Sequence, residues 1–356
     1  MMVQLMRWVH ENPRPVALAL VAAILIVAAG VVAVGARRPR NVTTDAAAPV
    51  TDRAPPKVYI CYRAIGESVA VGGTASPATA AALEVDGRLD EPAWQAAPWT
   101  DDFVDIEGDL KPPPRFRTRA KMIWDDQFFY IAAELDEPHV WGTLTKRESV
   151  IFHDNDFEFF IDPDGDTRNY GEFEINALNT GWDLRLTKPY RHGGQADDGW
   201  DIAGLKTAVH INGTLNDPRD ADVGWTIELA VPWGAIRSLN DKSAPVRRAR
   251  RNGPVFESYE IIGPSGGVGE GEAAGAANPG PADERPSVAT PPRHGDRWRV
   301  NFSRVEWRHL IESGSYRKVP DSREDNWVWS PQWVIDMHRP ETWGYVQFSS
   351  APAAQR

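Results

Sequence analysis

From about Lys57 onward the chain alternates apolar and polar residues with period two. FRTRAKMIW puts Phe116, Thr118, Ala120, Met122 and Trp124 on one face and Arg117, Arg119 and Lys121 on the other. YGEFEINAL sets Phe173, Ile175 and Ala177 against Glu172, Glu174 and Asn176. GWTIELAV sets Trp225, Ile227, Leu229 and Val231 against Thr226 and Glu228, and RWRVNFS sets Trp298, Val300 and Phe302 against Arg297, Arg299 and Asn301. Such alternation predicts half-buried antiparallel strands, because successive side chains of a strand point to opposite faces. QFFYIAAEL, DFEFFI, DLRLT and WGYVQF add further strands, and Asn212-Gly213 between HI and TL predicts a hairpin turn. Helix is scarce; the best candidate is LDEPAWQAAPW, with Asp90 as the cap and Pro92 in the first turn. About ten short strands predict an all-β fold, a two-sheet antiparallel β-sandwich of immunoglobulin-like or jelly-roll-like kind.

The pattern changes at both ends and once inside. Residues 1–14 read as an N-terminal tail. Pro15 to Ala36 are 22 consecutive uncharged, mostly aliphatic residues, flanked by Arg7 and Arg14 before and Arg37, Arg38 and Arg40 after. As a helix at ~1.5 Å per residue the run spans roughly 33 Å, enough to cross a bilayer. It is read as one N-terminal membrane-spanning helix or a signal segment, since Val34-Gly35-Ala36 and Ala46-Ala47-Ala48 each resemble a cleavage site. Residues 37–56 are a Pro- and Ala-rich linker, residues 57–349 the sandwich, and 350–356 a tail. Residues 241–296, with the core GPSGGVGEGEAAGAANPGPADERPSVATPP, have almost nothing to bury and are expected to be a disordered insertion. This arrangement places the body outside the cytoplasm, periplasmic or extracellular, and secreted if the segment is cleaved.

The net charge is −11, and residues 1–40 contribute +4 of it, which leaves −15 on the remainder. An acidic body argues against nucleic acid as a partner, because phosphate contacts need clustered Lys and Arg. Arg247, Arg248, Arg250 and Arg251 form one basic run in a loop-like region, read as solvated. The single cysteine, Cys61, allows no intrachain disulfide. There is no HExxH, CxxC, GxSxG or P-loop, so zinc and the common hydrolase and nucleotide-binding motifs have no support.

Fourteen of the fifteen tryptophans lie in the body, and Trp327, Trp329, Trp333 and Trp343 crowd its last stretch among Glu324, Asp325, Asn326, Gln332, Asp336, His338 and Arg339. Flat aromatic faces beside hydrogen-bonding groups suit a sugar ring, although most tryptophans in a sandwich fill its core. The second polar feature is the acidic group Asp154, Asp156, Glu158, Asp162, Asp164 and Asp166. The DPDGD loop, with Asp162, Asp164 and Asp166, is a candidate calcium site, since oxygen-rich loops suit a hard cation; ordinary turn chemistry explains the same residues. Glu158, Glu172 and Glu174 have the composition of a glycosidase pair, but cross-strand ion pairs with Arg117, Arg119 and Lys121 explain Glu172 and Glu174 without catalysis.

Taken in order, VDGRLDEPAWQAA, KMIWDDQFFYIAAELDEPHVW, NDFEFFIDPDGDTRNYGEFEINALNT, GWTIELAVPW, WRVNFSRVEW and the closing WGYVQF resemble the family 9 carbohydrate-binding module and its family-9-like relatives. The resemblance runs from about Leu83 to Ser349 and is broken mainly by the insertion. It implies a β-sandwich that binds poly- or oligosaccharide without catalysis, often beside a glycoside hydrolase as partner. Xylanase-attached members clamp a sugar end between two aromatic rings and carry calcium. Here Phe152 is the aromatic nearest the first ring position, Trp329 and Trp333 offer the second at shifted spacing, and Glu158 matches a sugar-contacting glutamate. Glu174 stands where a basic residue is expected. The candidate site is therefore Trp182, Trp329, Trp333 and Phe152 for stacking, with Glu158, Asn176, Arg185 and His338 for polar contacts. Two alternatives stand beside it. One is a glycoside hydrolase using the strand carboxylates. The other is a haem-binding electron-transfer domain of related fold, for which adjacent Met337 and His338 would need a distant second ligand such as Met122.

Overall fold

The computed structural model describes residues 53–64, 83–241 and 291–353. The expected spanning segment 15–36, nearly all of the linker and most of the insertion 241–296 lie outside the described residues. Among the described residues no helix is long and apolar enough to cross a membrane.

The described chain is all-β with two short helices. Its strands are β1 (Val58–Arg63), β2 (Val104–Asp105), β3 (Thr118–Trp124), β4 (Phe128–Asp136), β5 (Asp156–Asp162), β6 (Tyr170–Asn176), β7 (Gly181–Leu186), β8 (Ala196–Asp197), β9 (Lys206–Asn212), β10 (Gly224–Pro232), β11 (Arg297–Glu306), β12 (His309–Glu312), β13 (Ser315–Lys318), β14 (Asp325–Val328) and β15 (Gly344–Pro352). Helix α1 (Pro92–Ala96) lies between β1 and β2, and α2 (Trp233–Ser238) follows β10. Pro92 starts α1 as expected, but Glu91 rather than Asp90 is its cap residue, and no side chain caps it.

Thirteen strands form one hydrogen-bonded sheet in the order β8-β7-β6-β5-β11-β15-β1-β3-β4-β10-β9, with β14 and β2 paired beside β11; β12 and β13 form a separate hairpin. The sheet folds over itself, so that Phe129 of β4 meets Phe159 of β5 at 6.1 Å between ring centres. The apolar faces of β3, β4 and β10 and of β5, β6 and β11 close on one core. The alternation read from the sequence assigns these inward faces correctly: Ala120, Met122, Trp124, Phe173, Ile175, Trp225, Ile227, Leu229, Val300 and Phe302 all lie in it. Burying each large apolar side chain stabilises by about 2–3 kcal/mol.

Two corrections concern connectivity. The expected pair of separate antiparallel sheets is a single continuous mixed sheet, because β1 joins its halves and runs parallel to both β15 and β3. Strand direction depends on which distant segments meet, and period-two patterning carries no information about it. Asn212-Gly213 does not close a tight hairpin either. β10 pairs back onto β9 only from Gly224. Residues 213–223 make a longer loop, tied by the Asp222 carboxylate, which accepts the N–H groups of Thr214 (2.7 Å) and Val140 (2.8 Å).

The third correction decides the chemistry. Strands β5, β6 and β7 are buried at every position, on both faces. Their outer face is covered by a second apolar cluster of Ile106, Ile151, Phe160, Tyr170, Trp182, Leu184, Leu186, Val328, Met337 and Trp343. The polar residues that alternation places at the surface therefore lie between sheet and covering loops.

Candidate functional site

The candidate site is built on the outer face of β5–β6, from the alternation of two short runs. In DFE, Asp156 and Glu158 share a face; in EFE, Glu172 and Glu174 share one. The antiparallel register sets Glu158 opposite Glu174 and, on its other side, opposite Ser303 of β11. Asp156, Glu158 and Glu174 each bring one carboxylate oxygen to within 4.8 Å of the others. None is more than 5% exposed. Burial pushes Glu158 up to about 7. Burial, and then the Glu158 charge, drive Asp156, Glu172 and Glu174 well above the usual carboxylate range. Arg117, Arg119 and Lys121 do not relieve them: Arg117 and Arg119 pair with Glu134, and the Lys121 ammonium donates to the Trp94 carbonyl at 2.7 Å. The cross-strand ion pairs expected for Glu172 and Glu174 are absent because β3 lies in the other half of the folded sheet.

The rim of the carboxylate group comes from two loops. Ile151–His153 form a single tight helical turn, and there the Phe152 N–H donates to Glu174 Oε2 at 2.9 Å. The Phe152 carbonyl accepts the indole N–H of Trp307 at 2.8 Å, and the Lys318 ammonium sits 3.6 Å from the centre of the Trp307 ring. Phe152, Trp307 and Lys318 are all half-buried. Burial lowers Lys318 to about 8, so it is mostly protonated at neutral pH. Neither Trp307 nor Lys318 was among the sequence candidates. Trp307 had a signal, since counting by two from Ser303 through Val305 leads to it; Lys318 is brought back beside Trp307 by the β12–β13 hairpin that follows it and had none.

The structure separates the remaining candidates. Trp182 faces the outer cluster opposite Glu174, at 6% exposure. Arg185, three residues on, points to the other face of β7 and pairs with Asp197 at 2.6 Å, so these two cannot serve one site on this face. Asn176 has all four hydrogen-bonding positions in use: its amide donates to Leu144 O and Asp154 Oδ2, and its oxygen accepts the N–H groups of Leu178 and Thr180. It braces the loop and has no position left for a ligand. Trp329 lies in the main core against Phe302. Trp333 is half-buried at φ 66°, and a β-carbon at Gly108 would collide with its ring. His338 sits at the opposite end of the face, its Nδ1 3.1 Å from the Tyr170 hydroxyl and its ring 4.5 Å from that of Tyr190. Burial lowers His338 to about 4, so it is neutral at pH 7. Met122 belongs to the main core and Met337 to the outer cluster, on opposite sides of the sheet, so the haem ligands are not brought together.

Asp162, Asp164 and Asp166 also bring one oxygen each to within 4.8 Å of one another. Asp162 accepts the N–H groups of Gly165 (3.0 Å) and Thr167 (2.8 Å), which folds the loop without an ion. The other two are exposed, and the three-oxygen set fits a hard cation.

Residues 85–246 match the model of the family described as carbohydrate family 9 binding domain-like. That segment is similar to family-9-like carbohydrate-binding domains. The matched segment holds β2 to β10, while β1, β11, β14 and β15, which complete the sheet, lie outside it. No curated protein matches the chain. Solved structures similar to it include a family 9 carbohydrate-binding module from Caldicellulosiruptor kristjanssonii in complex with cellotriose (13% identity, 83% of this chain and 94% of that chain covered, TM-score 0.42). The same organism's module in complex with glucose is similar at 13% identity over 83% of this chain and 96% of that chain, with TM-score 0.41. A carbohydrate-binding protein assigned to Bacteroides uniformis is similar at 12% identity over 83% of this chain and all (100%) of that chain, with TM-score 0.45.

Proposed function

We propose that the family-9-like domain binds a poly- or oligosaccharide without catalysing its breakdown. The observation that carries this reading is the family match over residues 85–246. The geometry supports it with a polar floor of strand carboxylates and a rim of half-buried aromatic rings. Phe152 and Trp307 flank the floor, Trp333, half-buried beside Gly108, is proposed as a third ring, and Trp182 and Trp329 act as packing. Glu158 and Lys318 supply polar contacts to sugar hydroxyls. Aromatic faces bind the C–H side of a sugar, and the charged rim orients it.

The reading extends to the cell. Residues 15–36 tether the domain to a membrane and residues 37–56 space it from the surface, supported by the 22-residue uncharged run and its arginine flanks. A glycoside hydrolase acting on the same polymer is the partner this arrangement fits. Calcium at Asp162, Asp164 and Asp166 is a further part of the proposal, supported by the donor set alone.

A glycan array on the folded body tests the function. Binding is expected to a defined glycan class, and Phe152→Ala with Trp307→Ala is expected to abolish it while leaving the fold intact. Absence of any glycan signal from folded wild-type protein would overturn the reading.

A further inference from the structure

The floor of the site gathers more buried carboxyl groups than its surroundings pair. Asp156, Glu158, Glu172 and Glu174 occupy neighbouring positions on two strands and are at most 6% exposed. Two backbone N–H groups reach them, Val305 to Asp156 at 3.2 Å and Phe152 to Glu174 at 2.9 Å. Asp156 Oδ2, Glu158 Oε2 and Glu172 Oε2 are buried with no hydrogen-bond partner. Ser303, directly across from Glu158 and fully buried, lies close enough to favour its ionised form, yet its hydroxyl makes no hydrogen bond of ordinary geometry. Buried polar atoms are nearly always paired, and an unpaired buried charge is costly. Lys318, the nearby ammonium, is at the rim against Trp307.

The geometry points to a divalent cation, of the calcium class, held by Asp156, Glu158 and Glu174 with the Ser303 hydroxyl and Glu172 beside them. One oxygen from each of the three carboxylates lies within 4.8 Å of the others, close enough for a single ion with ~2.4 Å bonds to reach all three. Three carboxylates offer up to six oxygens, and the donor set is oxygen throughout, which selects a hard ion over zinc or copper. This site is separate from the Asp162 loop, which lies past the far end of β5. The cation would neutralise the floor and fix Glu158 beneath the rim.

The test is a calcium titration of the full chain after EDTA treatment, read by calorimetry without any sugar, so its outcome is independent of glycan binding. Wild type is expected to bind one equivalent at this site, beside any held by the Asp162 loop, that Glu158→Gln with Glu174→Gln loses and Asp164→Asn with Asp166→Asn retains. Glu158→Gln alone is expected to weaken that equivalent at least about tenfold. Equal stoichiometry in wild type and the Glu158→Gln, Glu174→Gln protein would overturn the proposal and leave shared protons as the neutralising species. Should that double variant not fold, wild-type crystals grown with manganese decide the matter. An anomalous peak between Glu158 and Glu174 is expected, and its absence overturns the site.

Discussion

Glu158 and Glu174 face each other across adjacent antiparallel strands, both buried, with no basic side chain opposite either one. In EDTA at alkaline pH, replacing both by Gln removes a repulsion at nearly constant shape. The double variant is then expected to be more stable than wild type by about 1–3 kcal/mol in urea unfolding. Saturating calcium should reverse the order, because only wild type gains binding energy. A variant less stable than wild type in both conditions would mean that the carboxylates stabilise the fold by shared protons.

Arg304 behaves in the opposite way. Its guanidinium is buried and donates to Glu137 at 2.7 Å, to Glu306 at 2.8 Å and to the Asp136 carbonyl at 2.9 Å. Arg304→Met leaves two buried carboxylates facing each other with only Arg115, 3.9 Å from Glu306, as a cation nearby. A loss of about 3–5 kcal/mol is expected, and a loss below about 1 kcal/mol in chemical denaturation would show that Glu137 and Glu306 share a proton instead.

Trp329 and Trp333, four residues apart, should respond differently. Trp329→Ala opens a cavity in the main core and is expected to cost about 3–5 kcal/mol of stability. Trp333 is half-exposed with a left-handed backbone, a conformation glycine adopts freely. Trp333→Gly is expected to weaken glycan binding several-fold with little change in melting temperature. Unaltered glycan affinity would remove Trp333 from the site.

Glu228 carries a pH dependence of defined sign. It accepts N–H groups from Trp94 (2.9 Å), Asp86 (3.1 Å) and Gly87 (3.2 Å), yet burial raises it from 4.5 to about 7. Between those values the folded state binds more protons than the unfolded state, so stability falls as pH rises through the window. The full shift corresponds to about 3 kcal/mol. Glu228→Gln cannot titrate, so wild-type stability minus variant stability should fall by about 1–3 kcal/mol from about pH 4 to about pH 8. A difference that stays flat would show that Glu228 keeps its ordinary pKa.

By itself the sequence determined most of the long strands, though not β1, and their inward faces, because alternation is local: Phe173 and Ile175 had to point away from Glu172 and Glu174 whatever the partners of β6 were. It also placed Asp156 with Glu158 on one face, and Pro92 at the start of α1. Three things were decided only by tertiary structure. β1 runs parallel between β15 and β3, since strand direction depends on which distant segments meet. The outer face of β5–β7 is roofed by Ile151, Met337 and Trp343, which turns an expected solvated face into a buried one. Trp329 went to the core while Trp307 came to the rim, because which of two similar rings meets solvent is set by the loops packed over them. Period two tells a residue which side of its own sheet it faces; what lies on that side is a property of the whole fold.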